Sequence, residues 1–384
     1  MSTSTFSSHL KSQKADFLAD NGEGWTIVMG NEAGDLDSLA SALGYAWLRS
    51  HTSGKAIAYI TTPREDFILR AENLYALGLA GIIQPFEELY CSGDPMPSQV
   101  SQFALVDHNV LDTRYNTPTA RVVAVIDHHE DEGKYKDTAD PRIVEPVGSC
   151  SSLVAKLFQS SNLPIPPELS TLLLSAILID TKGLKAGGKA VDVDREAAAY
   201  LIPLSHLARS EGLSALSDNQ PITQRSSVQS LSVTLGEKKS NVSHLSTRDL
   251  LRRDYKEYTF TIPASDHVTR SSKMMRKGKG RREQLWIIKA TDEGIAEKLW
   301  QGLESNEELR LKRRGFANFG FVDNAEIAEE TEDEDEDDDE DSEEATTDEA
   351  AFGESYIARA YKQRNANATR KQTAPILRKI LEGT

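Results

Sequence analysis

Apolar residues in the first half of the chain fall into two kinds of run that alternate. Short continuous runs, such as "TIVM", "AIAYI", "FALV" and "VVAVI", have the length of buried strands. Between them lie longer stretches whose apolar residues recur at helical spacing. "GWTIVMG", "KAIAYITTP", "FALVDHN" and "RVVAVIDHH" therefore read as strands. "DLDSLASALGYAWLRS", "EDFILRAENLYALGL", "SCSSLVAKLFQSS" and "ELSTLLLSAILIDTKGL" read as helices. Strands that alternate with helices predict an α/β domain whose parallel sheet carries helices on both faces. In such open sheets a site forms outside the carboxyl ends of the strands.

Near residues 205–240 the pattern weakens into polar, Ser-rich sequence, which predicts a linker over 206–225. A second, smaller α/β domain is expected over 226–384, after a first domain over 1–205. Its strands and helices are carried by "DLLRRDYKEYTFTI", "EQLWIIKATDEGIAEKLWQGL" and "SYIARAYKQRNANATRKQTAPILRKILEG". "RSSKMMRKGKGRRE", between the first two, reads as a basic loop. The sequence shows no internal repeat.

Charge changes the picture less than its total suggests. The net charge is −16, yet residues 329–349 alone hold 16 acidic residues and no basic one. The rest of the chain is formally neutral, so an anionic substrate is not excluded. The tract itself is expected to be a disordered, solvated insert that offers a surface to a basic partner protein. Two cysteines, Cys91 and Cys150, give neither a disulfide framework nor a Cys-based zinc site. The N-terminus has no apolar signal region, and "LLLSAILI" is far short of the roughly 20 apolar residues a spanning helix needs. The expectation is a soluble, cytoplasmic protein with no membrane partner.

The candidate chemistry lies at segment ends. Asn31, Asp35 and Asp37 follow "VMG", Asp107 and His108 follow "FALV", and Asp127, His128 and His129 follow "VVAVI". Asp180 ends the apolar run "LSAILI". One such Asp is ordinarily a helix cap or turn residue, and Asp35 or Asp37 could simply cap the helix that starts at Leu36. A single His is ordinarily structural, and His9, His51, His206, His244 and His267 are read that way. Several ends of this kind converging on one rim are better explained by cations, because clustered carboxylates repel one another. Oxygen ligands with a few imidazoles suit Mg²⁺ or Mn²⁺, and a pair of such ions activates water and clamps a phosphoryl group. Ser149, Ser151 and Ser152 read as caps. No G-x-S-x-G elbow, Walker A loop or G-x-G-x-x-G is present, so a serine nucleophile, ATP or a dinucleotide has no support. The basic loop suits a polyanion, a solvated surface or the acidic tract. It lacks the interleaved aromatics that nucleic acid binding needs.

"GNEAGDLDSLASAL", "ALVDHN", "AVIDHHED", "EPVGSCSSLV" and "SAILIDTKGL" resemble the successive motifs of the DHH phosphoesterase superfamily. "NATRKQTAPIL" resembles the motif of its associated type 2 C-terminal domain. Within the superfamily the chain is most similar to cytosolic exopolyphosphatases of fungal type, with family II pyrophosphatases and prune-like phosphodiesterases as relatives. The resemblance implies a site in the cleft between two domains that holds two divalent ions, Mg²⁺ or Mn²⁺. Asn31, Asp35 and Asp107 would hold one ion, and Asp37, Asp107, His128 and Asp180 the other. It makes His129, with His108, the groups that meet the departing oxygen, and Lys185, Arg370 and Lys371 the grip on phosphate. It implies hydrolysis of the terminal phosphoanhydride of inorganic polyphosphate. The pyrophosphatases carry His where this chain has Asn31, which favours polyphosphate and weaker metal binding at that position. A pyrophosphatase, a short-nucleotide phosphodiesterase or a non-catalytic acidic scaffold are the other readings.

Overall fold

The computed structural model describes residues 5–211, 226–253, 255–262, 265–275, 282–289, 293–314, 350–351, 356–365, 368 and 370–382. The acidic tract 329–349 and residues 212–225 of the expected linker lie outside the described residues. The chain divides into two units, Met1–Asn241 and Val242–Thr384.

The first unit runs α1 (Thr5–Ala19), β1 (Thr26–Met29), α2 (Leu36–Thr52), β2 (Ala56–Pro63), α3 (Ala71–Leu79), α4 (Pro85–Glu88), β3 (Tyr90–Ser92), β4 (Gln102–Val106) and β5 (Arg121–Asp127). It continues through β6 (Arg142–Val144), α5 (Cys150–Ser161), α6 (Pro167–Asp180), α7 (Asp192–Leu201), α8 (His206–Glu211) and α9 (Ser226–Ser240). Six strands form one sheet in the order β3-β2-β1-β4-β5-β6, and every neighbouring pair is parallel. In this doubly wound order the direction of winding reverses between β1 and β4, which opens a crevice at their carboxyl ends.

Burial on both faces explains why the strands read as unbroken apolar runs. Successive residues of β1 point to opposite sides: Val28 joins one core cluster, Ile27 and Met29 the other. The first cluster lies under α2, α5, α6 and α7. The second is closed by Phe17 of α1 with Trp25, Leu111, Tyr115 and Tyr135. Helix α6 is buried from Glu168 to Ile179, as an all-round apolar helix must be. Each fully buried leucine along it stabilises the unit by about 1.5–3 kcal/mol.

Three expectations differ in detail. "EDFILRAENLYALGL" forms a 3-10 turn over Arg64–Leu69 and then α3, with the break at Arg70. There the buried Arg70 faces Glu72 at 3.6 Å. The division between units falls after Asn241 rather than near 205–225, because α9 buries Val228, Leu231 and Leu235 in the first core. The segment read as a basic loop is strand up to Met275, and residues 276–281 lie outside the described residues.

The second unit contains α10 (Thr247–Arg253), β7 (Tyr255–Ile262), β8 (Ser265–Met275), β9 (Arg282–Lys289), α11 (Glu293–Glu304), β10 (Leu311–Arg314), β11 (Ala350–Ala351), β12 (Tyr356–Gln363) and α12 (Arg370–Glu382). Its sheet has the order β10-β12-β9-β8-β7, with β11 on β12, and is antiparallel throughout. Trp286, Trp300 and Tyr361 with leucines of α11 and α12 fill its core.

Candidate metal centre

Asp107 stands at the end of β4, beside the crevice. Its φ is +60°, a left-handed conformation that Asp tolerates better than most residues, at a cost of order 1–3 kcal/mol. The turn aims its carboxylate at the first turn of α2. Oδ2 accepts from Ser38 Oγ at 2.6 Å and from Asn31 Nδ2 at 2.8 Å. Oδ1 is buried and has no hydrogen-bond partner. It lies 3.1 Å from His128 Nε2 and 3.7 Å from His129 Nδ1. Gly30 permits the close approach of α2 on which these contacts depend, since a Cβ there would stand 2.6 Å from Ser38 Cβ.

The two imidazoles are oriented by their other contacts. His128 Nδ1 faces the Val147 carbonyl at 3.0 Å. That nitrogen must be the donor, which leaves Nε2 as the atom turned toward Asp107 and the one that a metal would meet in this orientation. His129 Nδ1 lies 2.7 Å from Asp127 Oδ1. Asp127 also accepts from the His128 amide and from Asn109 Nδ2. Burial pushes the Asp127 carboxyl up, but the hydrogen bond and charge of His129 outweigh it and hold the group well below the usual carboxylate range. The Asp127 carboxylate thus fixes the His129 ring and leaves Nε2 to act elsewhere.

Asp37 lies in the first turn of α2 but serves the next helix but two. Its Oδ1 accepts from Ser149 Oγ, Ser151 N and Ser151 Oγ, and its Oδ2 from Cys150 N. It therefore caps the N-terminus of α5, where a negative charge is favoured. Burial, then the charges of Asp107 and Asp180, push its carboxyl up to about 7. The charge of His128 opposes that push. Asp35 caps α2 by accepting from Ser38 N.

Among the described residues, Asp107, His128 and His129 bring one possible ligand atom each within 4.8 Å of one another. His128 Nε2 is 3.9 Å from Asp37 Oδ2, and Asp180 and Asp35 contribute to the same local field. Asn31 turns Nδ2 to Asp107 and accepts from Ala33 N at Oδ1. The His108 ring turns Nδ1 to the Val106 carbonyl at 2.9 Å. Lys185 is exposed on the loop after Asp180. Arg370 and Lys371 open α12 in the second unit, and their side chains lie outside the description. Asp107 Oδ1, which has no hydrogen-bond partner, and His128 Nε2 beside it fit a divalent cation, and Asp37 and Asp180 supply further oxygens of the kind Mg²⁺ and Mn²⁺ prefer.

The site also rests on a residue that carries no signal in the sequence. Asp194, on α7, is fully buried. It accepts from Gly148 N, Ser149 N, Val191 N and Ser152 Oγ. It thereby fixes the loop that hands Ser149 and Cys150 to Asp37. Asp194→Ala leaves these buried donors unmet and is expected to cost about 3 kcal/mol. The check is a lower urea midpoint at unchanged m-value. Asn109 was likewise visible in "VDHN" only as a neighbour of His108.

The switch-point rim of this open α/β sheet thus gathers carboxylates and imidazoles around a buried carboxylate oxygen without a hydrogen-bond partner, a donor set suited to a divalent cation. Residues 25–177 match the model of the DHH family, N-terminal domain. A protein of Schizosaccharomyces pombe provisionally named an exopolyphosphatase is 32% identical over 252 residues, 61% of this chain and 60% of that protein. A protein of Streptococcus thermophilus provisionally named a manganese-dependent inorganic pyrophosphatase is 30% identical over 166 residues, 42% of this chain and 49% of its own length. The chain thus spans about half to three fifths of these curated relatives. A solved exopolyphosphatase-related protein from Bacteroides fragilis covers 98% of this chain and 96% of its own at 13% identity, with a TM-score of 0.38, too low to bear on the fold. Among the described residues no helix is long and apolar enough to cross a membrane.

Proposed function

We propose that the chain is an exopolyphosphatase that hydrolyses the terminal phosphoanhydride of inorganic polyphosphate and releases orthophosphate. The observation that carries this reading is the buried Asp107 Oδ1 without a hydrogen bond, 3.1 Å from His128 Nε2. Asp35, Asp37, Asp107, His128 and Asp180 would hold two divalent ions, Mg²⁺ or Mn²⁺, with Asp107 bridging and Asn31 assisting. When bound, such ions supply a water acidic enough to attack at neutral pH and neutralise phosphoryl charge.

The chain's own groups do the rest. His129, oriented by Asp127, offers Nε2 to the phosphate or the departing oxygen as hydrogen-bond donor or acid. His108 is proposed as an accessory to it. Asn31 donates to the bridging carboxylate and fixes its orientation. Lys185, Arg370 and Lys371 neutralise the outer phosphates.

The test is orthophosphate release from long polyphosphate and from pyrophosphate in parallel, with Mg²⁺ or Mn²⁺ present. Release from the polymer with little from pyrophosphate is expected. Faster release from pyrophosphate overturns the substrate assignment in favour of the activity named for the Streptococcus thermophilus relative.

A further inference from the structure

A cation already stands at the carboxylate rim. Helix α9 turns Val228, Leu231 and Leu235 into the first unit's core, a spacing that marks one helical face. Lys239 follows Leu235 by four residues and continues that face. Its Nζ lies 3.5 Å from Asp180 Oδ1, with the two side chains 40% and 21% exposed. Burial alone would lower the Lys239 ammonium, but Asp180, Asp35 and Glu72 hold it above the usual lysine range, against a smaller opposing push from Arg70. Burial, with repulsion from Asp35 and Asp107, raises the Asp180 carboxyl. Lys239 and Asp180 are thus charge partners beside the residues that would take metal.

We propose that Lys239 is the counter-ion of the rim: it neutralises Asp180 before metal binds, and moves to a phosphate oxygen once Asp180 takes a divalent ion. The inference rests on the metal reading of Asp180 given above. An ammonium so close to the same oxygen repels a doubly charged ion. The ion is fixed by several ligands, whereas the ammonium sits on a flexible four-carbon stem, so the ammonium is the partner that yields. What draws it next is the anion that the metal ions bring in, and lysine serves phosphate as a mobile point charge.

The test uses the full chain and needs no turnover. Mn²⁺ binding is followed by the electron paramagnetic resonance signal of free Mn²⁺, and orthophosphate is then titrated into the Mn²⁺-loaded protein by calorimetry. Lys239→Met is expected to bind Mn²⁺ about ten-fold more tightly, from removal of one charge near a divalent ion. It is expected to bind orthophosphate about ten-fold more weakly. Lys239→Arg restores phosphate binding, and Lys239→Gln is read in the same way if methionine disturbs α9. Unchanged or weaker Mn²⁺ binding in both neutral variants overturns the proposal, as does unchanged phosphate binding. Loss of this coupling in a chain that still cleaves polyphosphate removes the role of Lys239 alone. Intact coupling in a chain that cleaves no polyphosphate removes the substrate reading and leaves Lys239 standing.

Discussion

Asp107→Asn is expected to lower polyphosphate hydrolysis by about a thousand-fold or more while the protein stays folded. The carboxylate is proposed to bridge two ions, so its loss strikes both at once, beyond the ten- to hundred-fold typical of outer partners of a metal site. Asparagine tolerates the left-handed backbone that Asp107 adopts at φ +60°, so strain does not confuse the result. It also removes one negative charge from a rim shared with Asp37 and Asp180. The melting temperature of the metal-free variant should therefore equal or exceed that of the wild type, whereas its stabilisation by Mn²⁺ should vanish. A folded Asp107→Asn protein with a tenth of wild-type activity would sink the bridging role. His128→Ala is expected to behave alike in activity.

Removal of metal is expected to have the second large effect: no measurable hydrolysis after chelation, and recovery on adding Mn²⁺ or Mg²⁺. Its pH dependence has a definite sign. Burial and the neighbouring carboxylates raise Asp37 to about 7 in the metal-free fold, against about 3.9 in an unfolded chain. Between those values the folded chain keeps a proton that the unfolded chain has lost. The stability this contributes is full below pH 4 and is lost as pH rises through 7. Metal binding requires the ionised carboxylate and so displaces that proton. The rise in melting temperature with Mn²⁺ should be larger at pH 8 than at pH 6. Calorimetry in buffers of different ionisation heat should show proton release at pH 6 that fades by pH 8. A Mn²⁺ stabilisation equal at both pH values would contradict the placement of metal on Asp37.

The strands that carry the site were legible because each apolar run stops on a polar residue. β4 and β5 end at Val106 and Asp127, where "FALV" and "VVAVI" meet "DHN" and "DHH". The short edge strands β3 and β6, of three residues each, gave no periodicity to read. Helix α9 was assigned to the wrong side of the division because its three buried residues are sparse among polar ones, and only tertiary packing shows which core they enter. At the site, the type of residue was readable but its partner was not. Asp37 could have capped α2, but its carboxylate reaches α5, more than a hundred residues away in sequence. Asp194 and Lys239 sit in polar surroundings where acid and base are common, so nothing in spacing separates them from surface charge.

Every carboxylate and imidazole proposed to hold metal lies between residues 31 and 180, within the unit that ends at Asn241. A gene that encodes such an arrangement can change one half without touching the other. Mutations confined to the second unit leave every one of those side chains as it is. Selection can then act on residues 242–384 by drift in one module alone, without a compensating change among the proposed ligands.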